Sequence, residues 1–390
     1  VMASENISAR TSSVKKIFLS AGEQSGDLHT SALIHELKKQ CSEYKLEFYG
    51  LGGDRMTSEG VKLFYHIREL STIGFLDVIK KYGFFKKALK ECAEFVREAD
   101  PDIIILTDYP GFNLAFAEKL RTFYTKKIIY YISPQIWAWH QKRVFTIKKC
   151  IDKVLVVFPF EVEFYKKYGI DAVYTGHPLV SRIKKFLSEN TKKKKIYGET
   201  KVISILPGSR KDEIIHHLPI LLETAVQLGK EFDIEVNISK AEGIDESVFK
   251  KFGKELNQFN LTGENVYEMI LNSDLVMTKA GTATMECALI GTPFLIFYKT
   301  FLLNYYLLKP VVKVNNLGMV NILAKENFIS EFIQHDFTVN NLLTESRKIL
   351  TDERYRSGIE QKLKEIWNIL GDSDAASSAV QQIKPYLNVI

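Results

Sequence analysis

Twice along this chain, apolar runs of strand length alternate with stretches of helical character, and that constrains the fold more than any other feature. The first series contains "KKIFLSAG", "LEFYGLGG", "DIIILTDYPG", "KIIYYISP", "KVLVVFPF" and "AVYTGHP", with segments such as "LHTSALIHELKKQ" and "FNLAFAEKLRTFY" between them. The pattern pauses at the lysine-rich "IKKFLSENTKKKKIYGET", residues 183–200, and restarts with "KVISILPGSR", "IEVNISKA" and "DLVMT". Strands alternating with helices imply a parallel sheet with helices on both faces. Near-continuous Ile, Val and Leu within the runs fits strands buried on both sides. The expected fold is therefore α/β, with two doubly wound Rossmann-like domains facing a cleft, over residues 15–182 and 201–350. Residues 183–200 would be the linker, 1–14 a loose polar tail, and 351–390 helices that cross back to the first domain or to a partner subunit. In such sheets ligands bind at the carboxyl ends of the strands.

The totals agree with two cores. A chain of 390 residues that is 46% hydrophobic suits two ordinary domains. Its net charge of +6 is compatible with phosphate-bearing ligands or an anionic membrane surface, and too weak to indicate nucleic acid. Cys41, Cys92, Cys150 and Cys287 are scattered, without a CxxC pair, which suggests a reducing compartment and no disulfide framework. The most apolar region, 288–312, is broken by Gly291, Pro293, Lys299, Asn304 and Pro310, and is read as strand plus short helix rather than a membrane span.

Several motifs are absent: there is no GxxxxGK[ST], no GxGxxG after a strand and no HExxH. One DxD occurs, Asp372-Ser373-Asp374, just past a helical stretch, where a helix stop explains it better than a metal site. No metal is expected. Two strand–turn–helix units in the second domain have anion-cradle character. In the first, Pro207, Gly208, Ser209 and Arg210 end a strand, with a hydroxyl and a planar guanidinium suited to phosphate; an ordinary turn with an exposed Arg is the other reading. In the second, "TKAGTATMECALIGTP", Gly281, Thr282, Ala283 and Thr284 open a helix whose N-terminal N–H groups and dipole favour an anion. Glu286, about a turn inside, could accept two ribose hydroxyls, or simply favour the first turns of a helix capped by Thr282. Together the two units suggest a nucleotide diphosphate.

In the first domain, "FLSAGEQSGDLHTSALI" places Glu23, Asp27 and His29 on or beside a βα loop, with Asp27 as helix N-cap in the plainer reading. "LTDYPGFN" puts Asp108 at a strand's carboxyl end and Asn113 in the next helix; Asp108 is either a general base or a turn-initiating Asp. In "SPQIWAWHQKR", Trp137 and Trp139 would share a strand face, as core or as the wall of a sugar or acyl site. On a helical wheel of residues 75–91, Phe75, Val78, Ile79, Tyr82, Phe85 and Leu89 form one face. Phe84 falls among the lysines and Leu76 flanks them. Either the helix rests on the core or the segment meets anionic lipid.

The ordered set "SAGEQSGDLH", "GLGGDRM", "IGFLDVIKK", "DYPGFN", "SPQIWAWHQKR", "FPFEVEFYKKYG", "VYTGHPLV", "LPGSRKDEI", "KAGTATMECALIGTP" and "VNILA" resembles the lipid-A-disaccharide synthases over about residues 16–335. The resemblance implies an inverting, metal-independent glycosyltransferase of GT-B type without a cofactor. It would join UDP-2,3-diacylglucosamine to 2,3-diacylglucosamine 1-phosphate, giving a β-1,6-linked disaccharide 1-phosphate and UDP. It also implies a peripheral protein at the cytoplasmic face of the inner membrane, with room for a homodimer. Carried over residue by residue, Asp108 would deprotonate the acceptor 6-hydroxyl, Arg210 and the Gly281–Thr284 turn would stabilise departing UDP, and Glu286 would hold the ribose. Asn321, in "VNILA", would lie near the nucleotide, and Glu23 and Asp27 would shape the acceptor site. Since both substrates carry acyl chains, lipid contact by Phe75, Leu76, Phe84 and Phe85 gains weight, and "TFLLNYYLLKP", 300–310, becomes a second lipid-facing candidate. Departures are modest: Gln24 stands where a small residue is frequent, and Ala280 where Ser often precedes Gly-Thr. The rivals are another UDP-sugar enzyme of this fold, such as a UDP-N-acetylglucosamine 2-epimerase or a lipid-linked N-acetylglucosaminyltransferase, and a catalytically silent UDP- or lipid-binding protein.

Overall fold

The computed structural model describes residues 13–71, 78–190, 200–241, 243–263, 265–301, 314 and 316–388. They divide into two compact units, 1–178 with 373–390, and 179–372.

The first unit holds a seven-stranded sheet ordered β3-β2-β1-β4-β5-β6-β7. Its strands are β1 (Val14–Ala21), β2 (Lys45–Gly52), β3 (Lys62–His66), β4 (Ile103–Thr107), β5 (Lys127–Tyr131), β6 (Lys153–Val156) and β7 (Ala172–Tyr174), all paired in parallel. Alternate residues feed two cores, as the two-residue period of a strand requires. Ile17, Leu19, Ile103, Ile105, Ile129 and Leu155 face the helix Gln24–Gln40 through Leu33, Ile34 and Leu37. Phe18, Ile104, Leu106, Ile128, Tyr130 and Val154 face the other way, against Ala88, Cys92 and Val96 and against Phe112, Phe116 and Ala117.

The second unit repeats the plan with six parallel strands ordered β10-β9-β8-β11-β12-β13. They are β8 (Lys201–Leu206), β9 (Ile234–Ser239), β10 (Asn260–Thr262), β11 (Leu275–Lys279), β12 (Phe294–Tyr298) and β13 (Glu331–Ile333). In both sheets the chain leaves its first strand in one direction and later continues in the other, so each has a topological switch point: β1/β4 and β8/β11.

Two boundaries differ from the sequence expectation. The first part of the stretch read as linker, 183–200, is helix: Pro178–Glu189 buries Leu179, Val180, Ile183 and Phe186 at helical spacing, and its lysines take the open side. Residues 191–199 lie outside the described residues. At the other end, Glu353–Leu370 belongs to the second unit, and only Ala375–Leu387 returns to the first. There Ala379, Val380, Ile383 and Leu387 join the core beside Leu33 and Leu37. The DxD is resolved as a cap, with Asp374 accepting the Ser377 N–H at 2.8 Å. All four cysteines are buried and free.

Candidate functional site

At the β1/β4 switch point, the turn after β1 (Gly22, Glu23) lies beside the turn after β4 (Asp108, Tyr109). Gly22 allows the approach: a Cβ there would stand 2.1 Å from Tyr109 Cδ1. Asp108 and Tyr109 both adopt left-handed backbone, φ 45° and 46°, a costly arrangement for two successive non-glycine residues that needs support from its surroundings. The support is explicit. The Asp108 carbonyl accepts from Asn113 Nδ2 at 2.7 Å and Tyr130 Oη at 2.6 Å. Asn113 also donates to Thr107 O at 3.1 Å and accepts from Ser20 Oγ at 2.6 Å. Burial, with the charge of Glu23 added, pushes the Asp108 carboxyl up to about 6. This is a carboxylate with the basicity of a proton acceptor, on a clamped turn.

The other first-unit candidates have different places. Asp27 is buried within the helix Gln24–Gln40 and is not its N-cap; Glu23 occupies that position. Asp27 Oδ1 accepts from Gly53 N at 2.7 Å and Met56 N at 3.1 Å, and Oδ2 from Arg55 N at 3.2 Å. It therefore holds the start of the helix Asp54–Ser58, and its oxygens are taken. Asn113 likewise clamps the Asp108 turn and is not turned toward a ligand. Trp137 and Trp139 do not share a face, because their segment is a turn. Trp137 is buried, donating Nε1 to Glu161 at 3.0 Å, while Trp139 is exposed with the Arg143 guanidinium 5.5 Å from its ring. Phe84 and Phe85 are half-buried, edge-on to Tyr65 and Phe112 at 5.3 Å each, so core packing accounts for both. Phe75, Leu76 and residues 302–310 lie outside the described residues.

In the second unit the two cradles flank the β8/β11 switch point. Pro207–Arg210 leads into the helix Lys211–Leu228, and Ala280-Gly281 into the helix Thr282–Ile290. Thr284 donates its hydroxyl to Gly281 O at 2.7 Å, tightening the turn, while Thr282 and Ala283 begin the helix with Thr282 exposed. Glu286 is half-buried and accepts one long hydrogen bond, 3.5 Å from Tyr267 Oη. Burial pushes its carboxyl up, opposed by Arg182 and Tyr267. Asn321 is not available to a ligand: it accepts from Ile329 N at 3.0 Å and donates to Ile329 O and Glu331 Oε1, both at 2.8 Å.

Sequence reading missed five participants here. Glu213 accepts from Ser209 N, Arg210 and Lys279. His217 links Pro207 O at 2.8 Å to Lys299 N at 3.1 Å. Arg182 and Tyr267 accompany Glu286. The i, i+3 spacing of Arg210 and Glu213 was a visible signal, and His217 follows on the same helix; Lys279, Arg182 and Tyr267 are brought in from remote segments.

Comparisons agree with this architecture. A family model described as Lipid-A-disaccharide synthetase matches residues 17–383. Curated relatives named lipid-A-disaccharide synthase include one from Geobacter sulfurreducens, 34% identical, covering 87% of this chain and 89% of the relative. One named lipid-A-disaccharide synthase 1, from Legionella pneumophila, is 36% identical over 82% and 84% of the two chains. Among solved structures, a UDP complex of Staphylococcus aureus MnaA has TM-score 0.66 at 15% identity, covering 96% of this chain and 98% of that one. The calicheamicin glycosyltransferase CalG4 has TM-score 0.63 at 11% identity, with the same coverage. At such identities these two share the fold, the two-domain GT-B plan. With the family matched over nearly its whole length, the chain belongs to the lipid-A-disaccharide synthases, glycosyltransferases of lipid A biosynthesis.

Proposed function

We propose that this chain transfers a 2,3-diacylglucosaminyl group from UDP to the 6-hydroxyl of 2,3-diacylglucosamine 1-phosphate, with inversion and without a metal. The Asp108 turn carries the proposal. Its carboxylate, raised to about 6 yet mostly ionised at neutral pH, is matched to removing a hydroxyl proton as that oxygen attacks the anomeric carbon. The C1–O bond to the β-phosphate breaks on the opposite face, which produces the β-linkage. The proton stays on Asp108 and the electron pair leaves on UDP.

The second unit supplies what the leaving group needs. Arg210 and the N–H groups opening Thr282–Ile290 can stabilise developing phosphate charge. Glu286 retains acceptor capacity for ribose hydroxyls. The UDP in the MnaA structure supports a uridine nucleotide for this fold.

A lipid surface follows from acylated substrates. Among the described residues no helix is long and apolar enough to cross a membrane. The helix Arg143–Cys150 presents Phe145, 63% exposed, among Lys142, Lys148 and Lys149, with Trp139, 40% exposed, beside Arg143. Aromatic and basic side chains together suit the head-group region of anionic lipid.

The test incubates purified protein in detergent and EDTA with both substrates and follows disaccharide and UDP. Equal amounts of both are expected. UDP without disaccharide would overturn the acceptor assignment, and bound UDP without any turnover would leave a binding protein.

A further inference from the structure

Three donors, two from the turn after β8 and one from the last residue of β11, converge on one carboxylate at the second unit's switch point. Ser209 N–H donates to Glu213 Oε2 at 3.1 Å; Arg210 Nη1 and Lys279 Nζ reach Oε1 at 3.2 and 3.0 Å. A backbone N–H, a guanidinium and an ammonium are the set that binds a phosphate oxyanion. The Lys279 and Glu213 side chains are largely buried, 18% and 12% exposed, whereas Arg210 stands 78% in solvent. Lys279 also lies against the second cradle: a Cβ on Gly281 would be 3.7 Å from its Nζ. Burial alone would raise the Glu213 carboxyl, but Lys279, the Ser209 N–H and Arg210 bring it below the ordinary range, so it is ionised.

We propose that Glu213 is an internal counter-anion of the phosphate cradle, displaced when a nucleoside diphosphate binds, and that Lys279 then passes to the diphosphate as a binding residue. The inference rests on reading this unit as the diphosphate site. An ammonium this buried is costly without a partner, and Glu213 supplies one at 3.0 Å. A diphosphate offers more charge and more acceptors than one carboxylate, so the donors transfer to it.

Calorimetric titration of UDP, and of uridine as a phosphate-free probe, into wild type, Lys279→Gln and Glu213→Gln tests this. Lys279→Gln should weaken UDP about tenfold or more, the scale of a charge-assisted hydrogen bond, and leave uridine unchanged. Glu213→Gln should tighten UDP severalfold, because a competing anion is gone. Unchanged UDP affinity in Lys279→Gln, an equal loss for UDP and uridine, or unchanged or weaker UDP in Glu213→Gln would each overturn the proposal. Wild type that fails to bind UDP would instead overturn the diphosphate reading beneath it.

Discussion

Asp108 shows how one residue is set by its surroundings. Its carboxyl is raised by burial first and by Glu23 second, which predicts that kcat/KM climbs through a limb near pH 6 and then levels. Glu23→Gln removes a like charge, so its limb should move to lower pH; an unmoved limb would separate Glu23 from Asp108. Asp108→Asn should cut kcat by roughly 10²–10⁴ and leave UDP affinity unchanged. It should also stabilise the fold at pH 7.5. The native carboxyl holds its proton to higher pH than the unfolded one, so native stability falls as pH rises from about 4 to about 6 and stays lower above that. An amide escapes this loss, worth ~3 kcal/mol. Thermal melts should therefore show a gain at pH 7.5 that disappears near pH 4. That Asp108 stands at a strand's carboxyl end was legible in "LTDYPGFN". The two left-handed residues and the Tyr130 clamp were not, because Tyr130 comes from the neighbouring strand.

Among elements, the short helix Asp54–Ser58 depends on a residue outside itself. Its first N–H groups are met by Asp27, and a Cβ on Gly53 would lie 2.7 Å from Asp27 Oδ2. The segments "SAGEQSGDLH" and "GLGGDRM" are thus two halves of one contact. Asp27→Ala should destabilise by about 1–3 kcal/mol through unmet buried donors. Gly53→Ala should also cost stability, and the double mutant should cost less than the sum, since both break one contact. Strict additivity in denaturant melts would mean the two act separately. The helix Pro178–Glu189 teaches the converse: its lysines invited a linker reading, while Leu179, Val180, Ile183 and Phe186 already carried the helical period.

For the whole molecule, the return of the last helix matters most. Val380, Ile383 and Leu387 are fully buried in the first unit, and Lys384 donates to Gln40 O at 2.7 Å. Burial of three such side chains stabilises by about 5–9 kcal/mol, comparable to the total stability of a domain. Truncation after Asp372 should therefore unfold the first unit and leave the second folded, seen as loss of one of two calorimetric transitions. A truncated chain that keeps both would show that Gln24–Gln40 covers its face of the sheet unaided.

What the sequence determined by itself was periodic or local: the alternation that specifies two parallel sheets, the turns at strand ends, and the acidic and basic groups those turns carry. Strand period and turn chemistry are properties of neighbouring residues, so they can be read in order. The tertiary structure decided which polar groups remain available. Asp27, Asn113 and Asn321 looked like ligand contacts and are consumed by internal bonds, while Glu213 and Lys279, 66 residues apart, became partners. A buried donor or acceptor must be satisfied by whatever the fold brings beside it, and that neighbour is set by strand order rather than by distance along the chain.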